Sequence, residues 1–283
     1  MSYLRLLCPA IIATTCMLIT TPTQAVVLYD ASLGTDMGSV FPAANQGWRL
    51  GLSPFLGTSS SVTTNTTHTL IDTSTVRSDK LGYFSEDPTG TIATPSIAPT
   101  LDASTGYTLR FKLRIVSESH TAANTRAGFS VIAVSSDTSK ALELGFWTDT
   151  IFAYSDDGPD ADNAPDFLPE ESVNFDTTAL NLTNNYITYD LAVLGSSYNL
   201  FADNTNILSG SLRDYSTFAG SPNPYAFDSF LFFGDDTSSA DAITELAYVE
   251  VLPVAIPEPG TALLMLIATI PLYLYRRQSK QNI

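Results

Sequence analysis

Residues 108–117 read TLRFKLRIVS, and the fold follows from that stretch. Leu109, Phe111, Leu113 and Ile115 alternate with Arg110, Lys112 and Arg114. Successive side chains of an extended strand point to opposite faces, so one face enters a core and the other carries charge into solvent. Related runs occupy residues 128–135, 142–147, 151–154, 186–194, 198–202, 207–212, 229–233 and 243–254, and no segment between Val26 and Leu252 has a helical period. Short strands punctuated by turn clusters predict an all-β fold, an antiparallel β-sandwich.

The punctuation suggests the connections. Residues 137–140 predict the turn of a hairpin, and Gly195, Ser196 and Ser197 together with residues 203–206 make 186–212 a three-stranded meander. Residues 26–29 are expected to pair with the last strand, because chain ends of a sandwich often meet and both segments are rich in β-branched residues. The Thr- and Ser-rich segment 58–75 reads as an exposed, flexible loop.

Both ends of the 283-residue chain stand apart from this pattern. Arg5, an apolar run over 6–19 and a polar stretch over 20–25 have the three-part layout of a signal peptide, predicted to be helical. The small residues Thr23 and Ala25 place the signal-peptidase cut between Ala25 and Val26. The apolar run falls short of the ~20 residues of a spanning helix, which argues against an uncleaved anchor. Both cysteines, Cys8 and Cys16, lie in this segment, so residues 26–283 contain no thiol nucleophile, disulfide or thiolate metal ligand. At the other end a linker over 253–260 contains Pro257, Glu258, Pro259 and Gly260. A short transmembrane helix and basic tail are expected over 261–283, the tail opening with Arg276 and Arg277. By the positive-inside rule the arginines stay in the cytoplasm and the sandwich, residues 26–252, lies outside.

The Pro257-Glu258-Pro259 triplet, the single short apolar span and the terminal arginines resemble the PEP-CTERM sorting tail of bacterial surface proteins. That resemblance implies processing by an exosortase near the triplet. It also implies transient anchoring, followed by display at the cell surface or in the extracellular matrix. Leu28-Tyr29-Asp30, Gly47-Trp48, the 126–130 and 143–147 stretches, 212–215 and 232–236 resemble the choice-of-anchor domains joined to such tails. The meander is similar to those of laminin G-like and concanavalin-like jelly-roll sandwiches, which host lectins, glycosidases and spacers alike.

Between Val26 and Leu252 stand 28 Asp and Glu against 9 Lys and Arg, an excess of 19 negative charges, which excludes nucleic acid as a partner. Five aspartates, Asp156, Asp157, Asp160, Asp162 and Asp166, with Asn163, form an acidic loop broken by Gly158, Pro159 and Pro165. Oxygen-rich loops of this kind can hold Ca²⁺, although the spacing departs from the EF-hand and a solvated turn is the favoured alternative. Asp235 and Asp236 would join the site if the two loops met in space. Trp48, Trp147, Tyr154 and Phe167 are candidates for a sugar-stacking platform, with core positions as the alternative.

Glycoside hydrolysis needs two placed carboxyl groups. Glu143 lies within a strand and Glu118 at the end of another near His120, but the paired-Glu pattern of concanavalin-like glycosidases is absent. His68 and His120 sit in Thr- or Ser-rich surroundings with no nucleophile elbow beside either. Arg213, Asp214 and Tyr215 read as a turn closed by a local ion pair. The expected role is a non-catalytic binding or structural one in the envelope, with envelope polysaccharide as partner. The alternatives are a carbohydrate-active enzyme on the same sandwich and a passive matrix spacer.

Overall fold

The computed structural model describes residues 24–39, 45–53, 59–87, 96–120, 125–156, 167–175, 182–220 and 223–253. Among these residues are sixteen strands. The first eight are β1 (Val26–Asp30), β2 (Gly38–Ser39), β3 (Trp48–Ser53), β4 (Ser61–Thr64), β5 (Thr69–Asp72), β6 (Lys80–Phe84), β7 (Tyr107–Ser119) and β8 (Ser130–Val134). The rest are β9 (Ala141–Phe146), β10 (Thr150–Tyr154), β11 (Phe167–Asn174), β12 (Ile187–Leu194), β13 (Ser197–Ala202), β14 (Thr205–Ser211), β15 (Phe230–Asp235) and β16 (Asp241–Pro253). One sheet runs β14-β13-β12-β7-β16-β5-β4, with β1 also paired to β16. The second runs β11-β10-β9-β8-β15-β6-β3-β2, antiparallel apart from the short β2–β3 pair. The chain is an antiparallel β-sandwich.

The alternating stretch becomes β7, whose Leu109, Phe111, Leu113 and Ile115 enter the core between the sheets. Opposite them stand Leu142, Leu144 and Phe146 of β9 and Leu231 and Phe233 of β15. Phe233 is the hub, meeting the ring of Trp48 at 5.6 Å and that of Phe111 at 5.5 Å, both edge to face. The predicted meander is β12-β13-β14, the 137–140 turn joins β8 to β9, and β1 pairs with β16.

The expectation of a loop over 58–75 is corrected: it holds the β4–β5 hairpin. Asn65 closes its turn by accepting from the amides of Thr67 (2.7 Å) and His68 (3.0 Å). The segment misleads because β4 is a sheet edge, where Thr and Ser face water and blunt unwanted pairing. Strand β11 escapes notice for a similar reason: Pro169 is tolerated there because β11 is the edge of the second sheet.

The two sheets differ in cover. In β7 and β12 buried positions alternate with partly exposed ones, whereas every residue of β8, β9, β10 and β15 is buried. The outer face of the second sheet therefore carries a second apolar layer. Ile132, Val134, Ala141, Phe230 and Phe232 are covered by Tyr215 and Tyr225, and Phe152 and Tyr154 pack with Ala127.

Ala25 and Val26 are both exposed at the start of β1. Residues 1–23 and 254–283 lie outside the described residues, and with them Pro257, Glu258, Pro259, Gly260, Arg276, Arg277 and both expected flanking helices. Among the described residues no helix is long and apolar enough to cross a membrane.

Candidate functional site

The polar centre of the molecule lies on the outer face of the second sheet, around Glu143. Its neighbours Leu142 and Leu144 point into the inter-sheet core, so alternation turns Glu143 outward. Beside it in register stands Ile132, and the adjoining row consists of Gly145, Ser130, Gly234 and Gly82. Small residues are required there because neighbouring rings lie flat over them. A Cβ on Gly145 would fall 2.4 Å from Phe152 Cζ, and one on Gly82 2.3 Å from Phe232 Cε2.

Three tyrosines close this hollow. Tyr225 donates its hydroxyl proton to Glu143 Oε2. Tyr215 donates to the Tyr154 carbonyl (3.2 Å) and accepts from the Glu143 amide (3.3 Å), and the Tyr154 hydroxyl accepts from the Ala127 amide (2.9 Å). The Arg126 guanidinium sits 5.8 Å from the centre of the Tyr154 ring. Burial, and then the nearby carboxylate of Asp236, raise Glu143 well above the usual carboxylate range. Burial, followed by the proximity of Glu143, does the same to the phenols of Tyr154, Tyr215 and Tyr225. A fully enclosed carboxylic acid among neutral phenols can donate and accept hydrogen bonds, but it offers neither an ionised base nor access for substrate.

The sugar-platform expectation is corrected by burial. Trp48 and Tyr154 are both 0 % exposed. Trp48 is a core keystone whose Nε1 donates to the Leu28 carbonyl at 2.9 Å. Trp147 is half-buried, with the His120 ring stacked on it at 4.0 Å and Phe152 against it at 4.9 Å. The side chain of Phe167 lies outside the described residues.

The described members of the two acidic loops start from opposite ends of the second sheet. Strand β10 delivers Asp156 to the end of the second sheet where Val134, Ala141 and Phe230 lie, whereas Asp235 and Asp236 follow Gly234 at the opposite end. Asp235, the last residue of β15, and Asp236 just beyond it also diverge. Asp235 is buried toward Thr73 and accepts from the Thr237 amide at 3.0 Å, while Asp236 acts on Glu143 across the outer face. Asp157, Asp160, Asp162, Asn163 and Asp166 lie outside the described residues. Among the described residues no three His, Cys, Asp or Glu side chains could hold a metal together.

The expectation that a local ion pair closes a turn at Arg213, Asp214 and Tyr215 is corrected, because the partner of Arg213 is distant in sequence. Arg213 crosses to Glu171 of β11 at 2.8 Å, and Tyr198 donates to the same carboxylate at 2.6 Å, so the three clamp the β11 and β14 edges of the two sheets together. The histidines have separate partners: His68 Nδ1 meets the Tyr186 hydroxyl at 2.9 Å, and His120 Nδ1 meets Glu118 at 2.7 Å. On the outer face of the first sheet Arg110 makes a bidentate pair with Asp190 (2.6 and 2.9 Å) and reaches Glu250 at 3.3 Å. Arg114 binds Glu245 at 2.6 Å. These charges hold the register of β12, β7 and β16.

Tyr215, Tyr225, Ser130 and Arg126 belong to the Glu143 centre but were not identified as site residues from sequence. The available signal was aromatic density: residues 215–233 contain Tyr215, Phe218, Tyr225, Phe227, Phe230, Phe232 and Phe233, too many rings for a solvated connection.

No family model and no curated protein matches this chain. Among solved structures it is similar to a Crh5 transglycosylase in complex with NAG, at 10% identity and TM-score 0.46 over 82% of this chain and 85% of that one. It is also similar to a carbohydrate esterase from a Shiga toxin-encoding bacteriophage, at 14% identity and TM-score 0.42 over 73% and 89%. A third is an endo-1,3-beta-glucanase from Streptomyces sioyaensis, at 11% identity and TM-score 0.41 over 82% and 95%. At these identities and scores the likeness goes no further, and the sandwich itself rests on the strand pairing.

Proposed function

We propose that the chain is an exported bacterial envelope or exopolysaccharide-associated protein. Its sandwich, of the jelly-roll, concanavalin or laminin G kind, has a non-catalytic binding or structural role. The observation that carries the non-catalytic reading is the closure of Glu143. This carboxyl was the strand residue on which an enzyme reading turned, and it lies 0 % exposed beneath Tyr225. The resemblance of Pro257, Glu258, Pro259, Arg276 and Arg277 to a sorting tail supports delivery to the surface. Signal peptidase would act between Ala25 and Val26, and an exosortase near the triplet.

Two measurements test the reading. Replacing Pro257, Glu258 and Pro259 with alanine leaves the sandwich folded but keeps the tail attached, giving a larger species in the membrane fraction; normal processing of that variant refutes the sorting role. The exported protein is retained on envelope polysaccharide without shortening it. Depolymerisation that disappears in Glu143→Gln refutes the non-catalytic role, and uniformly blank glycan wells reassign the domain as a spacer.

A further inference from the structure

At the far end of the long β7–β16 pair the Glu118–His120 contact forms a second titratable group, apart from the Glu143 carboxyl. Ser119 pairs with Asp241 at this end and Tyr107 with Pro253 at the other, so twelve residues at ~3.3 Å each separate the two by about 40 Å. Pro253 is where the described chain heads toward the tail, which makes the Ser119 end the outward one if the tail lies in the membrane.

Glu118, the penultimate residue of β7, has its side chain fully enclosed, and its Oε2 lies 2.7 Å from His120 Nδ1. Its Oε1 accepts from the Gly128 amide at 3.4 Å. The His120 ring is stacked on Trp147 at 4.0 Å and 14°, and Trp147 Nε1 donates to the Arg126 carbonyl at 2.8 Å. Glu118 and Trp147 thus tie down both ends of a strap, residues 126–128, whose middle residue Ala127 is fixed by Tyr154 over the Glu143 hollow. The charged groups acting on Glu118 are His120 beyond β7 and Asp241 of β16; Asp241 is in turn bound by Arg77 at 3.1 Å, which also reaches Ser119 Oγ at 3.2 Å.

We propose that Glu118, His120 and Trp147 form a proton-operated latch on the strap 126–128. In the protonated latch the Glu118–His120 pair holds one hydrogen more than in the alkaline one. When the carboxylic acid donates to Nδ1, the ring hydrogen sits on Nε2. Loss of that one proton to solvent leaves a carboxylate, which requires the ring hydrogen on Nδ1, so the partly exposed Nε2 changes from donor to acceptor. The alkaline form also places an ionised carboxylate in an enclosed site close to Asp241, a desolvation and repulsion cost that favours opening of the site even though the carboxylate accepts more strongly from the Gly128 amide. Burial, only partly offset by His120, raises the Glu118 carboxyl to about 7, so the latch works near neutrality.

The chain has two tryptophans, and Trp48 is sealed in the core away from the Glu118–His120 pair, so a pH-dependent change in emission from the full chain in detergent reports on Trp147. A single-proton change in emission centred near pH 7 is expected. Glu118→Gln removes it, and His68→Gln leaves it in place. Flat emission in the parent between pH 5 and 9 overturns the proposal, as does an unchanged transition in Glu118→Gln. If Glu118→Gln does not fold, proton NMR decides: the ring C2–H resonance absent from His120→Gln must move over the same range in the parent, and a stationary resonance overturns the latch. The latch is a property of the sandwich and stands or falls independently of tail processing.

Discussion

Replacing Glu143 with glutamine separates a structural acid from a catalytic one. In the folded chain this carboxyl is held in its neutral form, accepting from Tyr225 and lying within hydrogen-bonding reach of Asp236. Glutamine reproduces that pattern, with its oxygen toward Tyr225 and its amide toward Asp236. At pH 5 the Glu143→Gln protein should therefore melt within about 1 kcal/mol of the parent. Glu143→Leu instead leaves the buried Tyr225 hydroxyl without an acceptor, at a cost of about 1–3 kcal/mol. For a domain of this size that lowers the melting temperature by about 2–12 °C.

The sign with pH follows from the direction of the shift. A carboxyl raised in the folded state contributes stability that is fully present below its unfolded value of about 4.5 and is lost as pH climbs through the folded value. Glutamine cannot ionise, so its advantage over the parent should grow from pH 5 to pH 9. Calorimetric melts of parent, Gln and Leu proteins at the two pH values make the comparison at constant salt. If Glu143→Gln melts as low as Glu143→Leu at pH 5, the carboxyl is ionised in the fold and the neutral, closed centre is wrong.

Three further outcomes follow from the packing. Phe233→Ala empties the hub between Trp48 and Phe111 and should cost about 3–5 kcal/mol, read as a lower urea midpoint with little change in slope. Glu171→Ala strands the 5 %-exposed Arg213 between the sheets and should cost about 3–5 kcal/mol, whereas replacing both residues with apolar ones of similar size recovers most of the loss. Glu245 lies below its usual range because hydrogen bonds from Tyr186 and Arg114 and the charges of His68 and Arg114 outweigh its burial. Its contribution is present above about pH 4.5 and is lost as pH falls through the folded value, so Glu245→Gln should flatten the acid limb of the stability curve.

The one-sided strands were legible from sequence because alternation is local. Leu109, Arg110, Phe111 and Lys112 announce their faces without reference to any other part of the chain. The turns at 137–140, 195–197 and 203–206 are local in the same sense, and the β8–β9 hairpin and the meander formed as expected. Strands without that signature were missed. β3 and β6 are interrupted by Gly51 and Gly82, whose purpose is visible only once Phe84 and Phe232 from neighbouring strands lie over them. β4 and β5 are polar because they lie toward an edge, and edge status is a property of the finished sheet.

Sequence alone determined the all-β class, the acidic surface and the confinement of both cysteines to the first 25 residues, because composition and period-two patterning do not depend on distant contacts. It could not tell a buried ring from an exposed one. Trp48 and Tyr154 read as a sugar platform until Phe233 and the strap at Ala127 were found against them. Nor could it tell Glu143 from any other acid in an acidic chain. That difference is made by Tyr215 and Tyr225, more than seventy residues away, which fold over the second sheet and exclude the water that would otherwise keep the carboxyl ionised. Burial and protonation are decided by what covers a residue, and the cover comes from elsewhere in the chain.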